Sequence, residues 1–128
     1  MRLLLDTHSF LWFIEGNPRL SRHARALIED DANDLFLSLA SVWEMAIKVS
    51  LGKLRVTQDF QTFIAQQCSE NRIEFLHITL AHTAAVVPLS FHHRDPFDRL
   101  LIAQSMTEQM PIISDDPAFE IYGIERLW

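Results

Sequence analysis

Acidic residues stand directly after apolar segments at two distant points in the sequence. Asp6 follows the apolar run Leu3-Leu4-Leu5, and Asp115 and Asp116 follow the apolar segment 111–113 and a serine. Carboxylates brought close together repel one another unless a cation neutralises them. Sites made only of oxygen ligands suit hard divalent ions such as Mg²⁺ or Mn²⁺. The spacing therefore raises the hypothesis of a divalent metal site.

Two further acids lie in the first turns of predicted helices, Glu44 in SVWEMAIK and Asp98 in DPFDRLLIAQ. Leu101 and Ile102 follow Asp98 at i+3 and i+4, so Asp98 shares the helix face that packs inward. An unpaired charge on that face is strongly disfavoured. Arg99 is no partner there, because successive helical residues point about 100° apart. Asp98 is therefore a candidate metal ligand.

Each of these acids also has a purely structural interpretation. Glu44 can close a capping box with Ser41 or pair with Lys48 at i+4. Asp95, directly before a proline, is typical of a helix N-cap. Asp98 can interact with the positive end of its helix dipole. The residues alone leave these alternatives open.

Short apolar strands alternate with helices along the chain. Strands are predicted at 2–5, 35–37, 73–78, 112–113 and, at the edge, 124–127; helices are predicted from Thr7 near an N-cap to Gly16-Asn17-Pro18, and at 21–30, 38 or 41 to 51, 59–71, 79–87 and 95–109. This alternation is typical of a parallel sheet covered on both faces. We predict an α/β fold, a three-layer α/β/α arrangement around a short, mostly parallel central sheet of four to five strands. Ligands of such sheets bind beyond the carboxyl ends of the strands, where the acids fall.

Length and composition fit one globular domain over residues 1–128. The chain is 48% apolar, has three glycines and carries a net charge of −6, which disfavours nucleic-acid binding unless bound metal inverts the local field. Cys68 is the only cysteine, so no internal disulfide forms and a reducing cytoplasm is expected. Neither a signal peptide nor a membrane span is expected.

The histidines do not form a zinc motif, because no HExxH occurs and Cys68 has no partner. His92-His93-Arg94 stands directly before Asp95. This tripeptide is either a basic loop that contacts substrate or a solvated loop, and the solvated loop is the default interpretation.

Four segments together resemble the PIN-domain ribonucleases, most closely the toxin half of VapBC-type toxin–antitoxin pairs. In order along the chain they are LLLDTHSFLW, SVWEMAIK, HHRDPFDRLLIAQS and IISDDPAF. The resemblance covers nearly the whole chain and implies a PIN-like fold. It also implies an acidic quartet that binds metal and is catalytic, formed by Asp6, Glu44, Asp98 and Asp116.

The same resemblance implies supporting residues around the quartet. Ser114, two residues before Asp116, would orient that carboxylate or a water molecule. Asp116 is the expected ligand because the last block of the family reads Ser/Thr-x-Asp, and Asp115 would be an outward-facing spacer. Asp115 as the ligand is the alternative. Thr7 and Asp95 are further supporting residues, and Asp95 is an acid beyond the family pattern.

The activity implied by the resemblance is a Mg²⁺- or Mn²⁺-dependent endoribonuclease that hydrolyses RNA phosphodiester bonds. One or two ions would lower the pKa of a bound water and stabilise the leaving oxygen. Lysines and arginines are expected to contact phosphates around the rim. They are Arg19, Arg22, Arg25, Lys48, Lys53, Arg55, Arg94 and Arg99.

The resemblance also implies protein partners, namely a second copy in a homodimer and a small antitoxin that blocks the site. Trp43, Ile47 and Leu51 form an apolar stripe separate from that of Val42 and Met45. This second stripe is interpreted either as part of a subunit or antitoxin interface or as core packing within the monomer.

Two other functions compete with the nuclease. An aspartyl phosphotransfer domain also places an Asp after its first strand, but Asp6-Thr7-His8 lacks the second acid of a DxD motif. A non-catalytic PIN-like module that binds RNA or protein is the other alternative. The intact set of four acids argues against it.

Overall fold

The sheet of this protein has five strands, all parallel, in the order β3-β2-β1-β4-β5. The computed structural model describes residues 1–128. Its elements are β1 (Arg2–Leu5), α1 (Thr7–Glu15), α2 (Arg22–Glu29), β2 (Asp34–Ser38), α3 (Leu39–Ser50), α4 (Phe60–Glu70), β3 (Ile73–Leu76), α5 (Leu80–Val86), α6 (Pro96–Glu108), β4 (Ile112–Ile113), a 3-10 helix (Pro117–Tyr122) and β5 (Arg126–Leu127). The predicted parallel sheet flanked by helices is confirmed.

The central strand β1 is buried on both faces, which requires helical layers on each side. Leu3 and Leu5 belong to one apolar cluster with residues such as Phe10 of α1. Leu4 points the other way and joins a second cluster with Leu101 of α6. All three leucines are fully buried. The alternation of side chains along β1 thus divides the core into the two layers that sandwich the sheet.

Polar side chains at the carboxyl ends of the strands begin the next helices. The Asp6 carboxylate accepts the Ser9 backbone N–H at 2.8 Å and so caps α1 itself, where Thr7 was expected near the cap. Ser38 caps α3 by accepting the Ala40 N–H at 3.0 Å. The expected capping box between Ser41 and Glu44 is therefore wrong, because α3 starts three residues earlier. Strand and helix follow without a loop, so the site residues sit on rigid elements.

Helix α1 ends where the sequence predicted, at Gly16. This residue has a φ of +65°, a left-handed conformation that glycine adopts without the penalty of a Cβ atom. The Asn17 N–H donates to the Trp12 carbonyl at 2.9 Å and completes the cap. The turn then leads to Arg19 and to the buried Leu20.

Two smaller features complete the fold. Cys68 on α4 is buried, and burial raises the pKa of its thiol to about 11. β3 ends at Leu76, two residues earlier than predicted.

None of the helices is both long enough and apolar enough to cross a bilayer.

Candidate metal centre and active site

A cavity of about 680 Å³ lies where β1 and β4 end and where α3 and α6 begin. Its lining residues are Asp6, Thr7, His8, Trp12, Arg19, Glu44, Asp95, Asp98, Asp115, Asp116, Pro117 and Phe119. The structure therefore brings all four acids of the predicted quartet into one cavity, with Thr7 and Asp95. Asp115 also lines the cavity but is exposed, whereas Asp116 is partly buried.

Two acids of this cavity, Asp98 and Asp116, form a compact group with His93, which does not itself line the cavity. Each offers one potential ligand atom, and these atoms all lie within 4.8 Å of one another. Asp6 and Glu44 line the same cavity but are not members of this group. The sequence signal for His93 was its place in the tripeptide before Asp95. The solvated-loop interpretation is wrong for His93, whose side chain is only 10% exposed, and holds for His92 and Arg94.

His93 is held in place by aromatic neighbours and by its own backbone. Its N–H donates to the Tyr122 hydroxyl at 2.7 Å, and its ring lies 5.3 Å from that of Phe119. Its Nε2 lies 3.1 Å from Asp116 Oδ2, while Nδ1 is buried without a partner. A proton on Nε2 makes this contact a hydrogen bond and leaves only an unpaired acceptor inside, the less costly arrangement.

Asp116 is oriented by several hydrogen bonds. Its Oδ1 accepts the Ala118 N–H at 2.9 Å, which caps the 3-10 helix, and its own N–H donates to Ser114 Oγ at 3.0 Å. Partial burial alone would raise the pKa of Asp116. The hydrogen bonds from Ala118 and His93, with the nearby positive charge of Arg126, hold this pKa below its ordinary value instead. Asp116 therefore remains ionised under mildly acidic conditions.

Asp6 has the opposite electrostatic environment. Burial raises its pKa, while hydrogen bonds from Ser114 and Ser9 and the charge of His8 act in the other direction. Ser114 is fully buried and lies next to both Asp6 and Asp116 in the hydrogen-bond network. It thus links the carboxylates that follow β1 and β4.

Burial, together with the negative charges of Asp95, Glu44 and Asp6, raises the pKa of Asp98 to about 6, although His93 acts in the lowering direction. Asp95 caps α6, since its Oδ1 accepts the Phe97 N–H at 2.8 Å. The N-cap interpretation of Asp95 is therefore confirmed. Its negative charge also raises the pKa of Asp98, so Asp95 belongs to the same electrostatic group.

Glu44 is fixed between two neighbours. Thr7 Oγ1 donates to Glu44 Oε1 at 2.7 Å, and Lys48 Nζ lies 3.4 Å from Oε2. The i+4 pair is thus present. Thr7, which is buried, thus connects the first residue of α1 to α3.

Of the basic residues expected at the rim, Arg19 alone lines the cavity. Arg99 is buried and donates to backbone carbonyls, among them Ser90 O at 2.9 Å, so its predicted phosphate contact is wrong. Lys48 pairs with Glu44, and Arg25 pairs with Glu29. The carboxylates of the cavity are therefore largely without cationic partners.

The donor set fits a divalent cation. The potential ligand atoms of Asp98, Asp116 and His93 lie within 4.8 Å of one another. The mutual repulsion of the surrounding acids is evident in the raised pKa of Asp98. A cation at this position would satisfy the charges that no lysine or arginine neutralises. Oxygen donors favour Mg²⁺ or Mn²⁺, and a neighbouring imidazole is compatible with Mn²⁺.

Comparison with known proteins gives the family context of this cavity. The family model described as PIN domain matches residues 3–125. The chain is also similar to ribonuclease VapC16 of Mycobacterium tuberculosis (strain ATCC 25618 / H37Rv), with 35% identity over 72 residues. That match covers 53% of this chain and 51% of the relative, so it spans about half the length of each protein.

Solved structures with the same fold include two that are bound to DNA. VapBC2 from Rickettsia felis, bound to a DNA fragment from its promoter, has a TM-score of 0.73 and 16% identity, with complete coverage of both chains. FitAB bound to the IR36 DNA fragment has a TM-score of 0.65 and 16% identity, covering 97% of this chain and 92% of the other. FitAcB from Neisseria gonorrhoeae has a TM-score of 0.62 and 15% identity, covering 97% and 95%. At these identities the likeness shows the fold alone.

Proposed function

Because this chain belongs to the PIN domain family, we propose that it is a Mg²⁺- or Mn²⁺-dependent endoribonuclease that hydrolyses RNA phosphodiester bonds. One observation carries the proposal: acids from separate segments converge in one cavity at the carboxyl edge of the sheet, with few cations to neutralise them. The similarity to a protein named ribonuclease VapC16 supports it. Residues 1–128 would form a single PIN domain.

Asp98 and Asp116 would hold the cation, with Asp6 and Glu44 completing its environment directly or through water. A divalent ion bound there would lower the pKa of a water molecule and offset the charge that develops on the phosphate. Neighbouring residues of the protein would orient the side chains that bind the cation. Thr7 holds Glu44, while Ser114 and His93 hold Asp116. Donors of this kind keep ligand oxygens in place and are as important as the ligands themselves.

Hydrolysis adds the oxygen of water to phosphorus and breaks the bond to one ribose oxygen, which receives a proton. The exposed mouth of the cavity admits an RNA strand, and Arg19 lies on its lining. The buried end of the site, at Asp6 and Ser114, is too enclosed for substrate. These residues would therefore act by holding the ion and its other ligands.

The test is cleavage of single-stranded RNA by purified protein with Mn²⁺, compared with the Asp98→Asn variant and with wild type in chelator. We expect Asp98→Asn to reduce the rate by more than about 100-fold, because even outer-shell partners of metal ligands contribute about 10- to 100-fold. Asn keeps the size of Asp98 but removes its charge.

Asp34→Asn is the matched control, since Asp34 is exposed and lies outside the cavity. This variant should cleave RNA as fast as wild type. Equal cleavage by Asp98→Asn and wild type would contradict the nuclease assignment and indicate a contaminating enzyme. Binding of RNA without cleavage by any variant would favour the non-catalytic PIN-like module.

We also propose that the protein is the toxin of a toxin–antitoxin pair, that it forms a homodimer and that a cognate antitoxin protein blocks its site. The sequence resemblance to VapBC toxins and the fold shared with VapBC2 and FitAB support this assignment. Co-expression with the product of a short neighbouring reading frame tests it. A true antitoxin should copurify with the protein and suppress RNA cleavage.

A further inference from the structure

The acidic cavity is also lined by aromatic and basic residues. His8, Trp12 and Arg19 line it together with the carboxylates. None of the three belongs to the acidic quartet or to the residues that support it. A lining of this composition matches the chemistry of a nucleotide, which has a planar base and an anionic phosphate.

His8 and Trp12 form a stacked pair on α1. They are one helical turn apart, their ring centroids lie 5.5 Å from each other, and their planes are inclined by 27°. Trp128 meets Trp12 edge-on with a centroid distance of 6.0 Å and supports the indole from another side. Two aromatic rings are thus held at the cavity wall before any ligand arrives.

Core packing explains only part of this arrangement. Trp12 contacts the apolar cluster beneath β1 and is partly buried, as a structural residue would be. His8, however, is exposed and belongs to neither apolar cluster of the core. Its position over the indole at the cavity wall extends a planar surface into solvent, which is the arrangement that a stacking base requires.

Arg19 supplies a positive charge in the lining of the same cavity. It is exposed, and the ion pairs of the protein all involve other residues. It lines a cavity that contains many carboxylates, yet its guanidinium lies within salt-bridge distance of none of them. Its backbone is fixed, because the Arg19 N–H donates to Asn17 Oδ1 at 2.9 Å. An unpaired guanidinium of this kind is suited to a phosphate group.

We propose that His8, Trp12 and Arg19 form a subsite for one nucleotide of single-stranded RNA, with the base stacked on the His8–Trp12 pair and its phosphate bound by Arg19. This subsite deepens the ribonuclease function proposed above, on which it rests for its substrate. It would place a nucleotide beside the acids and so position the neighbouring phosphodiester bond. Stacking tolerates any base, so the subsite favours unpaired strands over particular sequences.

The test is an NMR titration of the ¹⁵N-labelled full chain, in the presence of Mg²⁺, with adenosine 5′-monophosphate and with ribose 5-phosphate. The three indole N–H signals are identified from single Trp→Phe variants. We expect adenosine 5′-monophosphate to shift the Trp12 signal and ribose 5-phosphate to leave it unchanged. Trp43 is an internal control, because it is 61% exposed but does not line the cavity. Its signal should move with neither compound.

Variants separate the two halves of the subsite. Arg19→Gln should weaken binding of both compounds by about tenfold, the effect of losing one charged hydrogen-bond donor. Arg22→Gln is the matched control, since Arg22 is exposed, unpaired and outside the cavity, and it should bind as wild type does. In RNA cleavage, Trp12→Leu should raise KM by about tenfold at unchanged kcat. Trp12→Phe, which keeps an aromatic ring, should have a KM close to that of wild type.

The outcomes distinguish this subsite from the ribonuclease function. Equal shifts of Trp12 and Trp43, or equal shifts by both compounds, would overturn the subsite even if RNA is cleaved. A base-dependent shift of Trp12 without RNA cleavage would support the subsite and overturn the ribonuclease. Because Trp12→Leu can unfold the chain, the dispersed signals of Trp43 and Trp128 must persist in that variant. Arg19→Gln changes an exposed residue and provides an independent measurement.

Discussion

Asp98 is the residue at which the electrostatics of the cavity can be measured most directly. Its pKa of about 6 in the folded protein exceeds the ordinary value of 3.8, because burial and neighbouring acids disfavour its charge. The folded state therefore holds the proton more tightly than the unfolded state. Stability falls as the pH rises from about 4 to about 6, and the full penalty is present above that range.

Because the ionised Asp98 destabilises the folded state, we expect Asp98→Asn to stabilise the metal-free protein near neutral pH. The gain should be on the order of 1 kcal/mol, since solvent screening discounts the shift at a partly exposed group. It should vanish near pH 3, below the ordinary pKa of 3.8, where the folded and unfolded states both bind the proton. Urea unfolding in chelator at both pH values measures it. An equal gain at both pH values would show that removal of charge is not the cause.

His93 illustrates how one side chain can act through another. With Nε2 donating to Asp116, it would orient this ligand instead of binding the cation itself. We expect His93→Phe, which keeps the packing against Phe119, to weaken Mn²⁺ binding by about tenfold. His93→Gln, which can still donate, should recover part of the loss in calorimetry. Unchanged Mn²⁺ affinity in His93→Phe would rule out this role.

At the scale of elements, helix starts position the site. Asp6 begins α1, Ser38 begins α3, Asp95 begins α6 and Asp116 begins the 3-10 helix. Each cap satisfies backbone N–H groups that would otherwise lack partners. The same polar residues that start the helices therefore stand at the carboxyl edge of the sheet, where the cavity forms.

Asp95 allows this structural role to be separated from metal binding. Asp95→Asn preserves the cap, and Asp95→Ala removes it, while both remove the charge that acts on Asp98. We expect Ala to be less stable than Asn by about 1 kcal/mol in urea unfolding of the metal-free protein. Metal affinity should be similar in the two variants and in wild type. A marked loss of Mn²⁺ binding in Asp95→Asn would instead identify Asp95 as a ligand.

At the scale of the whole molecule, a surface of α3 remains open. Trp43 and Leu51 are 61% and 62% exposed, Ile47 is partly buried, and Trp43 packs edge-on against Phe97 at 5.2 Å. Core packing within the monomer thus does not account for Trp43 and Leu51. The alternative interpretation, a subunit or antitoxin interface, stays a prediction.

Sedimentation of the purified protein tests this surface. We expect Trp43→Ser to shift a homodimer toward monomer while leaving the stability of the monomer nearly unchanged, because the side chain is largely exposed. Ile121→Ser is the control, since Ile121 is exposed to a similar degree on the 3-10 helix. A dimer that is equally stable in both variants would exclude the surface formed by Trp43, Ile47 and Leu51 from the subunit interface.

The sequence by itself determined the layered α/β fold and predicted which acids the structure brings into one cavity. The periodicities that mark strands and helices depend only on residues close together in the sequence, and the acids closely follow the apolar strands. Asp6 and Asp116 could therefore be placed at one edge of the sheet from the sequence. Burial next to three leucines likewise marked Asp6 as unusual.

Only the tertiary structure decided which side chains outside those elements line the cavity or contact its acids. His93 comes from the loop before α6 and Arg19 from the turn after α1, and loop paths depend on contacts that no periodic pattern encodes. The choice of Arg19 among eight basic candidates, and the burial of Arg99, followed from how the helices pack. Trp12 shows the same limit, because only the packed structure shows that it contacts the apolar core and also lines the cavity.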